Sequence, residues 1–133
     1  MAAGEATLED AWVEGDAAAR WRSAAGHGPG TGAQASGSSV VEVDEGCRLP
    51  RHTDSGEETV VVLAGRAAVI VGAERAEVHA GGAVLVPRGV PHEVHNVGEG
   101  RLRFFAVYAG TDVVTRYEDE VQPGGERERS PVG

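Results

Sequence analysis

Histidine and carboxylate side chains gather at two places in this 133-residue chain. The first is the run from Gly46 to Glu58, which contains His52, Asp54, Glu57 and Glu58. The second runs from Gly81 to Asn96 and contains Pro87, Gly89, His92 and His95. On a strand, alternate residues share a face, so His52 and Asp54 point the same way. Glu58 stands beyond a Ser-Gly turn at the head of the next strand, and His92 opens a later one. Two imidazoles and one or two carboxylates converging inside a barrel make the ligand set of a divalent-metal site. Such a set supports metal-assisted polarisation of a carbonyl or enol with a carboxylate as base. It equally supports dioxygen activation at iron.

The elements that must hold these groups in place are short. Runs rich in Val, Ile and aromatic residues occur at 40–43, 59–63, 67–71, 76–79, 83–86, 92–96 and 102–109, separated by Gly and Pro. Close, regular spacing of this kind predicts an all-β sandwich or barrel. No connection between them has room for a crossover helix, so antiparallel pairing is expected. Upstream, Thr7 and Asp10 resemble a capping box ahead of Ala11, Trp12, Val13 and the Ala17–Ala19 run, which predicts a short helix over 7–25. The Gly- and Ser-rich stretch 26–39 reads as a flexible connector, with His27 a solvated loop residue. The expected organisation is an N-terminal helix or arm with its connector over 1–39, a β-barrel over 40–116, and a flexible charged tail over 117–133.

Both histidine-bearing segments resemble the two sequence motifs of the cupin superfamily. The first motif has the form G-x5-H-x-H-x3-4-E-x6-G; Gly46, His52, Glu58 and Gly65 fall on it, with Asp54 where a second His usually stands. The second has the form G-x5-P-x-G-x2-H-x3-N, and Gly81, Pro87, Gly89, His92 and Asn96 match it throughout. Two ordered motifs at compatible spacing carry far more weight than one. The resemblance implies an antiparallel jelly-roll barrel and one divalent metal ion (Zn, Fe or Mn) on His52, Glu58 and His92. Asp54 either completes a four-ligand shell or serves as a base beside a three-ligand set. It implies a metal-dependent enzyme working on a small carbonyl-bearing metabolite by cyclisation, isomerisation, rearrangement or lyase chemistry, plausibly in natural-product biosynthesis, where small cupins include aromatic polyketide cyclases. An Fe(II) dioxygenase and a non-catalytic sensor or binding barrel are the alternatives. Asp54, Glu58 and Tyr108 are the candidate catalytic groups, although the face Tyr108 takes on the last strand of the barrel is open. Trp12 and Trp21 are expected to be packing anchors against the main body or a second subunit; the family also implies a homodimer, for which an N-terminal arm carrying them would suit.

Composition narrows the partners. The net charge is −9 and all 12 basic residues are Arg. An acidic surface repels nucleic acid and anionic lipid, and the lack of Lys removes Schiff-base chemistry. No apolar run approaches the roughly 20 residues that span a bilayer, and Met1–Asp10 lacks the pattern of a secretory signal. The single Cys47 is expected to be a small buried hydrophobe, and a cytoplasmic, soluble protein is the expectation. Glu57, His79 and His95 are expected to face solvent, Arg51 to pair outside the barrel, and Phe104 and Phe105 to pack in the core.

Overall fold

In the computed structural model, which describes residues 7–133, the alternating runs form twelve strands. They are β1 (Glu9–Val13), β2 (Asp16–Ala25), β3 (Ser36–Val43), β4 (Arg48–Asp54), β5 (Glu58–Ala64), β6 (Arg66–Val71), β7 (Glu74–His79), β8 (Ala83–Val86), β9 (His92–Asn96), β10 (Leu102–Ala109), β11 (Thr115–Val121) and β12 (Glu126–Arg129). Strand order is β7-β6-β9-β4-β2-β3-β10-β5-β8, with β1 added to β2, and β11 joining β4 to β12. The result is the nearly closed barrel that the motifs imply. Every pairing is antiparallel except a single parallel bridge, Ala19 to Arg48, where β2 passes from one half of the barrel to the other.

Side chains alternate in and out as a half-buried strand requires. Val60 and Val62 on β5, Val69 on β6, Val94 on β9, and Leu102 and Phe104 on β10 fill one end of the barrel. Phe105 takes the opposite face of β10 and is only half-buried, so the Phe pair is split between core and exterior. Gly65, Gly81 and Gly89, all motif positions, have φ of 87°, 90° and 75°. These are left-handed values that a side chain would strain. Asn96 closes the second motif structurally. Its Nδ2 donates to the carbonyls of Val43 and Gly100 at 3.0 and 2.8 Å, and its Oδ1 accepts from the Gly98 N–H at 3.1 Å.

Three expectations are overturned. Residues 7–25 are not helical: β1 and β2 form a hairpin, and Gly15, which would have weakened a helix, sits in its turn at φ 83°. Ala11, Ala19 and Trp21 face inward there while charged residues face out. The first six residues of the expected arm lie outside the described residues. The connector is likewise ordered in part. A short 3-10 turn at Pro29–Thr31 precedes β3, and His27 is half-buried between Ser38 Oγ on Nδ1 (2.7 Å) and Ser36 Oγ on Nε2 (2.9 Å). The expected charged tail is not loose either. β11 pairs with β4 in the register Thr115↔Asp54 and Tyr117↔His52, and β12 pairs back on β11. Thr115, Tyr117 and Val121 turn inward, and the charges between them point to solvent.

Among the described residues no helix is long and apolar enough to cross a membrane. Cys47 is half-buried against the core.

Candidate metal centre

Three strands bring the chemistry together. His52 and Asp54 project inward from the end of β4, Glu58 from the start of β5 and His92 from the start of β9, and all four are buried. His52 stands opposite His92 across the β4–β9 pair. Their rings lie 4.2 Å apart between centroids. His52, Asp54 and His92 each offer a donor atom within 4.8 Å of the others.

The backbone selects which imidazole nitrogen faces the site. His52 Nδ1–H donates to the Pro50 carbonyl at 2.6 Å, and His92 Nδ1–H to the Val90 carbonyl at 2.9 Å. A carbonyl can only accept, so each ring turns Nε2 toward Asp54 Oδ2, at 3.7 Å from His52 and 3.1 Å from His92. Glu58 Oε1 lies 2.9 Å from the same His92 Nε2. These contacts are close but poorly directed. Asp54 Oδ2, Glu58 Oε1 and His92 Nε2 are buried without a hydrogen-bond partner among the described residues. Buried polar atoms normally find partners, and three orphans aimed at one point make a fitting cradle for a divalent cation. Imidazole with carboxylate suits Zn, Fe or Mn.

Charge at the centre is unevenly shared. Burial, then the neighbouring His92 charge, depresses His52 to about 4. Burial also opposes charge on His92, but Asp54 and Glu58 outweigh it and lift His92 to about 10. For Asp54, burial is outweighed by His92, His52 and Thr115, and its carboxyl is lowered. Glu58 is raised, chiefly by burial. Without a cation, His92 therefore holds a proton that offsets one of the two carboxylate charges.

Two residues that sequence reasoning passed over complete the setting. Thr115 Oγ1 donates to Asp54 Oδ1 at 2.6 Å. Tyr117 lies 5.2 Å from the His52 ring and 5.4 Å from Trp21, centroid to centroid. Trp21 thus packs against the main body, the first of the two places expected for it. Trp12 stays on the hairpin surface, with its indole N–H on Glu14 at 2.8 Å.

Beside the centre opens a cavity of about 450 Å³, bordered by His52, Thr115, Tyr117, Trp21, Leu49 and Tyr108. Tyr108 faces inward, paired across strands with Glu58, and its hydroxyl lies 3.5 Å from Ser39 Oγ. Burial, with the Glu58 and Asp54 charges behind it, raises the phenol well above its usual range. Of the remaining candidates, Glu57 and His79 are exposed as expected, and Arg51 reaches Glu118 and the Gly72 carbonyl. His95 is not solvated as expected: it is half-buried beside Glu93 at 3.4 Å, its Nε2 buried without a hydrogen-bond partner among the described residues.

A small antiparallel barrel with inward histidines and carboxylates on adjoining strands is the architecture of the cupins. The chain belongs to that family: residues 39–108, more than half of its length, match the cupin domain. An uncharacterised protein of Streptomyces coelicolor is 36% identical over 70 residues, which is 53% of this chain and 66% of that protein. Among solved structures, the cupin domain of Schizosaccharomyces pombe Cnp3 superposes with a TM-score of 0.61 at 22% identity, over 68% of this chain and 64% of that one. The polyketide cyclase RemF from Streptomyces resistomycificus gives 0.59 at 24%, over 67% and 64%. Oxalate decarboxylase from Bacillus subtilis gives 0.64 at 21%, over 68% of this chain and 26% of that one. The matched region thus spans slightly less than two thirds of the first of these relatives, and the likeness to the solved structures is one of fold.

Proposed function

We propose that this chain is a metal-dependent cupin enzyme acting on a small carbonyl-bearing metabolite by cyclisation, isomerisation, rearrangement or lyase chemistry. The observation that carries the reading is the set of buried, unpartnered donor atoms on Asp54, Glu58 and His92, with His52 Nε2 turned to the same place. His52, Asp54 and His92 would hold the ion, and Glu58 stands at its edge. A divalent ion bound there supplies Lewis-acid polarisation of a carbonyl oxygen, or dioxygen chemistry if the ion is iron. The residues around it supply the rest. Glu58, its carboxyl raised by burial, would take a proton from carbon next to the carbonyl and return it elsewhere. Tyr108, with a phenol held protonated, offers a hydrogen bond to a developing enolate oxygen. Tyr117, Trp21 and Leu49 line the approach, restrict water and present flat apolar surface to the substrate.

The Fe(II) dioxygenase is the second reading, and one observation favours it. The compact donor cluster is two histidines and one carboxylate, His52, Asp54 and His92, with Glu58 standing outside it. The identity of the ion in anaerobically purified protein separates the two. Zinc, with turnover of a carbonyl substrate under argon, supports the first reading; iron, with dioxygen consumed in step with substrate, replaces it by the second.

A further inference from the structure

The cavity beside the metal centre is walled in part by the end of β12 and the segment after it: Arg129, Ser130, Pro131 and Gly133 all border it. This segment is held by one residue. Val132 is buried against Ala106, Tyr108 and Val113. It seats in a socket that only glycine leaves open. A Cβ on Gly37 would stand 2.5 Å from Val132 Cγ1, and one on Gly28 2.2 Å from the Val132 carbonyl oxygen. Close approach of backbone is a common reason for glycine in a strand.

Docked in this way, the segment fixes Arg129 at the cavity. Among the described residues bordering it, Arg129 is the sole Arg or Lys. Its Nη2 donates to the carbonyls of Val121 and Pro123 at 3.1 and 2.7 Å, which clamps the guanidinium plane to the end of β11. Its Nε–H is buried with no hydrogen-bond partner among the described residues, and no carboxylate of theirs pairs with it within 4.0 Å. Glu9 borders the same cavity without pairing. A guanidinium on the cavity wall that is clamped through one nitrogen and neutralised by no carboxylate of the described residues can receive a carboxylate or similar oxyanion.

We infer that Arg129 is an anion-binding residue of the cavity, so that the ligand class is a planar, largely apolar carbonyl compound bearing a carboxylate or acidic enol. The anion rests on Arg129, and the flat body lies along Trp21 and Tyr117. The orientation of its carbonyl toward His52 and His92 rests on the metal-dependent reading above; the anion site itself does not.

The test uses the full chain treated with chelator, so that the metal plays no part, and probes it with benzoate and with benzamide, its neutral counterpart. In an NMR titration, benzoate should shift the Arg129 Nε–H and Trp21 indole N–H resonances and bind at least tenfold more tightly than benzamide. Arg129→Gln should abolish that preference, while Arg129→Lys should keep part of it, with circular dichroism showing both variants folded. Equal binding of the two probes by wild type, or benzoate binding unchanged in folded Arg129→Gln protein, overturns the inference. Should Arg129→Gln fail to fold, the preference in the wild type and the Arg129 resonance decide. Loss of the anion site leaves the metal reading standing, because metal content is measured separately on untreated protein.

Discussion

Thr115 Oγ1 donates to Asp54 Oδ1 and thereby leaves Asp54 Oδ2 as the carboxylate oxygen that faces both imidazoles. The two residues are register partners across β11 and β4. Such a partner holds a metal-ligating carboxylate in one rotamer, and its loss typically lowers metal affinity by about 10–100-fold. Thr115→Val keeps the shape, removes the donor and strands a buried oxygen, which costs about 1–3 kcal/mol. Competition with a chromophoric chelator reads the affinity, and thermal unfolding of the metal-free chain reads the stability. An unchanged affinity would make Thr115 a packing residue only.

Stability of the metal-free chain should depend on pH with opposite signs from the two histidines. His52 falls from 6.5 to about 4 on folding, so between these values the unfolded chain binds more protons and stability is lost as pH falls. His92 rises from 6.5 to about 10, so its contribution is full below 6.5 and is lost as pH climbs through 10. The raised Glu58 carboxyl acts in the same direction as His92, its contribution being lost as pH rises from 4.5 through its folded value. A melting temperature that peaks near 6.5 and declines on both sides is the expected profile. Metal entry must displace the His92 proton, so calorimetry in buffers of different ionisation enthalpy should find proton release, with affinity rising toward alkaline pH. Binding without proton release would contradict the assignment.

The Val132 socket makes its own prediction. Gly37→Ala places a methyl group on the Val132 side chain at a distance no packing tolerates. Overpacking of this kind costs about 1–3 kcal/mol. Expelling the segment would relieve the clash, so limited proteolysis should cut after Arg129 or Arg127 much faster than in wild type. Equal cleavage rates would show that the segment is not held there.

Phe104 and Phe105 should behave differently although they are adjacent. Phe104→Ala empties core volume and should cost about 3–5 kcal/mol. Phe105 lies on the outer face with Val61, next to the exposed Leu63 and Leu85. We propose this face, rather than the N-terminal hairpin, for the self-association that the family resemblance implies. Leu85→Glu should then give a monomer in light scattering without lowering the unfolding temperature at high dilution; a wild type that is itself monomeric removes the proposal.

Much of the barrel was legible because its strands alternate and its turns carry glycine. The runs at 83–86, 92–96 and 102–109 coincide with β8, β9 and β10. His52, Asp54, Glu58 and His92 were legible because strand phase aims them inward whatever the global packing. The N-terminal hairpin was not, since Ala17–Ala19 carries high helix propensity and strand order depends on partners that local sequence does not name. Residues 117–133 misled in another way: their charges are the outer half of β11 and β12, and charge alone reads the same on a solvated strand as in a loose tail. Thr115 and Arg129 matter only through the pairing of β11 with β4 and β12, a register no spacing within the chain announces.

Metal content tests the central claim most directly. Plasma mass spectrometry on anaerobically purified protein should find about one equivalent of a divalent metal, as expected of one closed donor cluster. His92→Ala and Asp54→Ala should each lose it while remaining folded. Wild-type protein that holds no Zn, Mn or Fe even after reconstitution would contradict the account and leave a barrel that binds its ligands without metal.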